Sequence, residues 1–342
     1  MSARVCIDDA GFARLRATLA RTRDAHEVVH EAGGTAWAPV DPERPFDWDA
    51  PSPLSGVKHF FLPDGEVLLR WRGDAVTEEI PDVAPFALVG VRPCDAVAID
   101  YMDRFLAADP CHAARRSRAL IVAISCGGAC AHGFCLAVDA GPFVTGGFDL
   151  GLTRLGRDAI VADVATEAGA EALAAAGIAA RPPTPTHLDR LAGARSAARA
   201  TFAPDAALAR GLARLAEESG TRPVAAEEWR RLGPFCFACT GCTTLCPTCS
   251  CFTIEDQTCE GGGIRRRLLD SCLLEGFQRE ASGYNPSPRP EDRVRRFWTH
   301  KLGASFTRRM GRPGCTGCGR CDVACPGSIG ARAVLSRLGA LT

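Results

Sequence analysis

Cys236-Phe-Ala-Cys239-Thr-Gly-Cys242-Thr-Thr-Leu-Cys246-Pro247 recurs further along the chain as Cys315-Thr-Gly-Cys318-Gly-Arg-Cys321-Asp-Val-Ala-Cys325-Pro326. Both copies space the first three cysteines by two residues, add a fourth after three more, and close on proline. Two-residue gaps let a tight loop wrap three thiolates around one face of a small cluster. The trailing Cys-Pro leaves the loop and supplies a fourth thiolate elsewhere. This is the ligand spacing of cubane 4Fe–4S clusters, so the chain is expected to carry electrons one at a time.

The paired run resembles that of bacterial-type ferredoxins with two clusters, in which the fourth cysteine of each run crosses to the other cluster. The resemblance implies Cys236, Cys239, Cys242 and Cys325 on cluster one, and Cys315, Cys318, Cys321 and Cys246 on cluster two. Gly241, Gly317 and Gly319 are expected at positive φ, where backbone must approach inorganic sulfur. Cys-x2-Cys pairs also bind zinc, which would make the chain a zinc scaffold with no redox role. Zinc sites use two such pairs, however, rather than three evenly spaced cysteines with a trailing Cys-Pro. Disulfide frameworks belong to small secreted chains.

The remaining composition narrows the class. A length of 342 residues suits two domains, and 18 cysteines are too many for an ordinary cytosolic protein unless they hold metal. Formal net charge is zero, which removes the electrostatic case for nucleic acid or an anionic membrane as partner. Met1 to Leu15 lacks the apolar region of a signal peptide, and no apolar stretch approaches the roughly 20 residues of a membrane span. A cytoplasmic location is expected. Only Lys58 and Lys301 are lysine; all other basic charge is arginine.

The N-terminal part reads as α/β with parallel strands. Asp8 and Asp9 cap a helix bearing Phe12, Leu15 and Leu19. Residues 59–69 read as a hairpin turning at Pro63-Asp64-Gly65. Phe86–Val91 and Ala119–Ile124 are continuous apolar runs, as in buried parallel strands. The helical pattern between them, with Val97, Ile99, Met102 and Phe105 among its apolar positions, makes a βαβ unit. Cys94 and Cys126 then lie at the carboxyl ends of adjacent strands, the edge where open α/β sheets bind ligands. Cys130 and Cys135 follow in a glycine-rich loop, so Cys94, Cys126, Cys130 and Cys135 form a candidate third cubane site, with Cys111 and His132 in reserve. A strand over 159–164 leads into an alanine-rich helix, and two helical stretches follow, broken near Pro204. The domain boundary is expected between about Gly220 and Gly233, giving an α/β domain over 1–222 and an α+β ferredoxin-like domain over 223–342. From Cys246 to Cys315 is 69 positions, a long insertion holding Cys249, Cys251, Cys259 and Cys272. Arg265-Arg266-Arg267 within it reads as a solvated helix face, or as partners for acidic groups on a neighbour.

Further pieces resemble one family: Gly90-Val-Arg-Pro-Cys-Asp95, Ile121-Val-Ala-Ile-Ser-Cys126, Phe134-Cys135, Gly147-Phe-Asp-Leu150, Cys246-Pro-Thr-Cys-Ser-Cys-Phe252, Asp270-Ser-Cys272, Gly283-Tyr-Asn-Pro286 and His300-Lys301. Together with the second cluster run they resemble the beta subunit of soluble sulfhydrogenase-type NiFe hydrogenases, whose family includes the A subunit of anaerobic sulfite reductase. The likeness covers roughly residues 55–330.

The resemblance implies an electron-transfer subunit of a multisubunit oxidoreductase, with no substrate chemistry of its own. It would relay electrons between a flavoprotein NAD(P) reductase-like subunit and the small and large subunits of a NiFe hydrogenase, or a sirohaem sulfite reductase subunit. No Gly-x-Gly-x-x-Gly turn follows a strand, and no residue pattern calls for a flavin on this chain. Cys249, Cys251 and Cys272 match the family's motifs and are candidate additional ligands. Where the family shows Cys-Phe-Cys, this chain has Gly133-Phe134-Cys135; either Cys130 supplies the missing thiol or the third cluster is altered or absent. Cys6 and Cys259 match no motif and read as structural.

Overall fold

The computed structural model describes residues 3–217 and 226–341. In chain order its elements begin β1 (Ala3–Ile7), α1 (Asp9–Thr22), β2 (Asp24–Glu31), β3 (Gly34–Pro39), α2 (Lys58–Phe61), β4 (Glu66–Arg72), β5 (Ala75–Glu78), β6 (Phe86–Val91), α3 (Pro93–Phe105), α4 (Pro110–Arg118) and β7 (Ala119–Ile124). They continue with β8 (Leu150–Arg154), β9 (Ile160–Val164), α5 (Glu167–Ala175), α6 (Pro185–Ala200), α7 (Ala206–Glu217), α8 (Ala226–Leu232) and α9 (Gly241–Thr244). The last are β10 (Phe252–Cys259), β11 (Gly262–Leu269), α10 (Pro290–Leu302), α11 (Ala304–Met310), α12 (Arg320–Ala324) and α13 (Ala331–Ala340). The chain divides into two compact units. One contains the residues up to Phe61, Pro81–Ala131 and Asp139–Ala203; the other contains Leu62–Ile80, His132–Val138 and Pro204 onward. The boundary expected between Gly220 and Gly233 falls partly on residues 218–225, which lie outside the described residues.

The first unit is a seven-stranded mixed sheet in the order β1-β9-β8-β7-β6-β2-β3. Its centre is parallel, β2 to β6 to β7 to β8, and antiparallel strands close both edges. Every residue of β6 and β7 is buried, as continuous apolar runs require when helices cover both faces. Asp8 caps α1 by accepting from the Gly11 N–H at 2.6 Å, and Phe12, Leu15 and Leu19 enter the core. Arg16 and Glu27, both buried, pair through two 2.9 Å hydrogen bonds.

The strand ends are fixed by specific residues. Gly90, at φ 94°, sits where the β6–β7 register shifts, and a side chain there would press on Phe46. Arg92 is the N-cap of α3, Pro93 opens the helix, and buried Asp95 accepts the Ser52 hydroxyl. Asp149 bridges strand and helix: its carboxylate accepts the Ile121 N–H at 2.7 Å and the Thr166 hydroxyl at 2.6 Å. Gly147, at φ 74°, lies so close to the Ala96 carbonyl that a Cβ would collide with it. The Gly147-to-Leu150 motif therefore builds the sheet.

The second unit holds a four-stranded antiparallel sheet, β10-β11-β4-β5. Two of its strands come from residues 62–80 and two from the stretch between the cysteine runs. The hairpin expected over 59–69 is absent. Lys58–Phe61 is a helical turn, and Glu66–Arg72 pairs with β11 and β5. The turn residue Asp64 instead accepts the Leu269 N–H at 2.7 Å. Arg265-Arg266-Arg267 is strand, not helix. Arg265 pairs with Asp256 and Arg266 with Glu255 across β10, while buried Arg267 pairs with buried Glu66. Helices α7 and α13 pack closely because Gly211 and Gly339 leave no room for side chains. Arg210 and Arg214 then donate to the carbonyls at the α13 C-terminus.

Asp149→Ala strands the buried Ile121 N–H and the Thr166 hydroxyl. A loss of about 2–3 kcal/mol is expected, read as a lower urea midpoint by circular dichroism, with Asp149→Asn losing less.

Candidate iron–sulfur centres

Both cysteine runs lie in the second unit, and each builds a loop followed by a short helix. The two loops bend at matching places. Ala238 and Thr240 take φ 51° and 62° in the first; Gly317 and Gly319 take φ 62° and 75° in the second. Gly317 and Gly319 take the positive φ expected of them. Gly241 instead begins α9, and the left-handed positions of the first loop are Ala238 and Thr240. The reason for glycine in only one loop is packing. A Cβ on Gly317 would meet the backbone of Cys135, and one on Gly319 would meet that of His132. The Phe134 N–H donates to the Gly317 carbonyl at 2.7 Å, tying residues 132–138 to the second loop.

Two cavities result. The first is lined by Cys236, Cys239, Cys242 and Cys325, within apolar walls that include Val294, Phe297 and Trp298. The second is lined by Cys315, Cys318, Cys321 and Cys246, with Cys242, Lys301, Arg320 and Phe134 also on its wall. In each case the fourth cysteine comes from the other run. Helix α9 carries Cys242, and Cys246 follows one turn later, so a single turn serves both cavities. Among the described residues, no three His, Cys, Asp or Glu side chains converge closely enough to hold a metal ion; the thiols surround spaces instead.

The electrostatics suit a set of thiol donors for a cationic core. Burial pushes Cys242 up to about 12, and the thiols of Cys236, Cys325, Cys246 and Cys239 push the same way. Cys315 also rises to about 12, from burial first and then from Cys318. Burial likewise raises Cys236 and Cys321. Four neighbouring thiols cannot all ionise unless positive charge enters between them, and bound iron supplies it with release of protons. Cys246 goes the other way: a hydrogen bond from the Cys249 thiol lowers it against the cost of burial, and Lys301 and Thr248 add to the effect. Backbone N–H groups already point at sulfur. Gly317 donates to Cys315 at 3.4 Å, Ile329 to Cys325 at 3.4 Å and Ala331 to Cys321 at 3.3 Å. Such bonds tune cluster potentials. The residues present fit 4Fe–4S clusters in both cavities.

The other cysteines are placed as follows. Cys94 stands at the start of α3 and Cys126 just beyond β7, both at strand ends in the first unit. The Cys126 thiol is raised by burial and by Cys130, and opposed by Arg92. Cys130 is exposed in the same unit, whereas Cys135 belongs to the second. Cys111 is buried in α4. Cys251 is lowered to about 6, chiefly by a hydrogen bond from Cys272, whose own thiol is raised by the same contact and by burial. Cys6 contacts His187 at 3.9 Å, and Cys259 is exposed at the end of β10. Residues that the cysteine pattern alone did not single out are Lys301 and Thr248, both buried beside Cys246.

Paired cysteine loops around two such cavities define an iron–sulfur protein of the dicluster type. Residues 235–329 match the family model described as a 4Fe-4S dicluster domain. The chain is 30% identical over 278 residues to the sulfhydrogenase 2 subunit beta of Pyrococcus furiosus, covering 80% of this chain and 79% of that protein. It belongs to the family of sulfhydrogenase beta subunits. No solved structure matches it. Among the described residues no helix is long and apolar enough to cross a membrane.

The cavity linings set a test of ligand pairing. Cys325→Ser is expected to alter the same electron paramagnetic resonance signal as Cys239→Ser, and Cys246→Ser the same signal as Cys318→Ser. Pairing by run, with Cys246 grouped with Cys239, would contradict the crossing.

Proposed function

We propose that this chain is the electron relay of a cytoplasmic NiFe hydrogenase complex. It would hold one 4Fe–4S cluster on Cys236, Cys239, Cys242 and Cys325 and a second on Cys315, Cys318, Cys321 and Cys246. The cubanes, when bound, accept and release single electrons. The protein's part is to hold them adjacent, exclude water and present one edge to a partner. The observation that carries this reading is the pair of thiol-lined cavities joined by the Cys242–Cys246 turn. Membership in the sulfhydrogenase beta family supports hydrogenase over sulfite reduction as the terminal reaction.

The two cavities differ in access. Cys239 is exposed beside the first, and Phe237 on its rim is 68% exposed. The four cysteines around the second cavity are all half-buried. The first cluster is therefore the natural exchange point with a partner subunit, and the second is the inner station. Electrons released from H2 on a NiFe partner would pass through both to a flavoprotein that reduces NAD(P)+, or travel in reverse.

Isolation of the native complex through a tag on this chain tests the reading. Nickel co-purifying with a flavoprotein is the expected result. Sirohaem absorption without nickel would assign the chain to a sulfite reductase, and zinc with no absorption near ~400 nm would remove the redox role altogether.

A further inference from the structure

Thr316 stands between Cys315 and Gly317 in the second cysteine loop and is 3% exposed. It lines the second cavity together with Cys246, Cys315, Cys318 and Cys321. Its hydroxyl is enclosed by protein, yet among the described residues no atom makes a hydrogen bond with it. Buried hydroxyls nearly always have a partner, because burial strips them of water. Two other threonines buried in the same unit follow that rule. Thr243 donates to the Thr240 carbonyl at 2.8 Å and lies 2.9 Å from Ser271 Oγ. Thr248 donates to the Gly314 carbonyl at 2.6 Å. Among the described residues, Thr316 carries the one buried hydroxyl left without a partner.

The backbone around Thr316 is fixed on both sides. Gly317 follows at φ 62°, and its carbonyl accepts the Phe134 N–H at 2.7 Å. The Gly317 N–H donates to Cys315 Sγ at 3.4 Å. No cysteine sulfur accepts the Thr316 hydroxyl, so the acceptor that fits this cavity is the other sulfur of a cubane, its inorganic sulfide. Hydrogen bonds to cluster sulfurs are one of the levers on reduction potential. The matching position of the first run is Phe237, whose side chain has no donor and is exposed. The two runs are therefore unlike at this position: one offers a buried hydroxyl, the other an exposed ring.

We propose that the Thr316 hydroxyl donates a hydrogen bond to an inorganic sulfide of the second cluster and thereby raises that cluster's reduction potential. This rests on the dicluster reading above. Reduction adds one electron to the cubane and makes its sulfides better acceptors. A donor fixed beside them in advance favours the reduced form, so the inner station is easier to reduce. The hydroxyl alone carries the effect, and the Thr316 methyl group has no part in it.

The test is a redox titration of the anaerobically purified full-length chain, followed by electron paramagnetic resonance, for wild type, Thr316→Val and Thr316→Ser. Thr316→Val keeps the shape and removes the donor; Thr316→Ser keeps the donor and removes the methyl group. The second cluster's signal is the one that Cys318→Ser alters. The expected result in Thr316→Val is a more negative midpoint for that signal at unchanged iron content. Its reduced-to-oxidised ratio at a fixed poise should fall on the order of tenfold. Thr316→Ser is expected to titrate like wild type, with the first cluster unshifted in both variants. An unshifted midpoint in Thr316→Val at full iron content would give the hydroxyl to a buried water and overturn the proposal. An equal shift in Thr316→Ser and Thr316→Val would assign the effect to packing of the methyl group, and would overturn it as well. Loss of the second cluster's iron in Thr316→Val would make the residue necessary for holding the cluster, and would overturn it equally. Wild-type protein that takes up no iron would refute the dicluster reading itself, a result separate from any effect of Thr316.

Discussion

Eight thiols gathered around two adjoining spaces are a problem of charge, and the second unit of this protein is organised by that problem. Burial and mutual repulsion raise Cys242 and Cys315 to about 12, so these thiols resist ionisation without a nearby positive charge. Bound iron would resolve the conflict, because a metal core neutralises thiolates and takes the place of their protons. The turn from Cys242 to Cys246 joins the two spaces, with Cys242 on the wall of both and Cys246 on the second. The short helices α9 and α12, the left-handed loop positions and the N–H groups aimed at sulfur all serve this arrangement.

The first unit follows a different constraint. Its parallel core is apolar on both faces, so it needs polar clamps at the strand ends. Asp149 and Asp95 supply them, and the Arg16–Glu27 pair ties α1 to the middle of β2. Cys94, Cys126 and Cys130 lie at one edge of this sheet or in the loop that follows it. The family motifs around them mix two purposes: Gly90, Gly147 and Asp149 are explained by packing and hydrogen bonding alone.

Local chemistry was readable from the chain, and distant pairing was not. The cysteine runs, the α1 cap at Asp8 and the buried strands Phe86–Val91 and Ala119–Ile124 each depend on neighbours in sequence. The hairpin expected at 59–69 fails because the partner of Glu66–Arg72 is β11, some 200 positions on. The same pairing explains why Arg267 is buried in a strand rather than solvated on a helix: its partner Glu66 lies at the far end of that separation. Cys135 stands nine positions after Cys126, and that closeness in sequence makes the two candidates for one site. The backbone at His132, Phe134 and Cys135 packs on Gly317 and Gly319, which explains why only the second loop has glycine at its left-handed positions. Lys301 carried no signal of its own beyond a short family motif; its meaning comes from the packing of α10 beside Cys246.

The most direct measurement is iron and acid-labile sulfide per chain after anaerobic reconstitution, with the visible spectrum taken on the same sample. Two filled cavities predict about eight iron and eight sulfide with broad absorption near ~400 nm, and more if a third cluster is present. A content of about four iron or fewer, after full reconstitution, would contradict the two-cluster account.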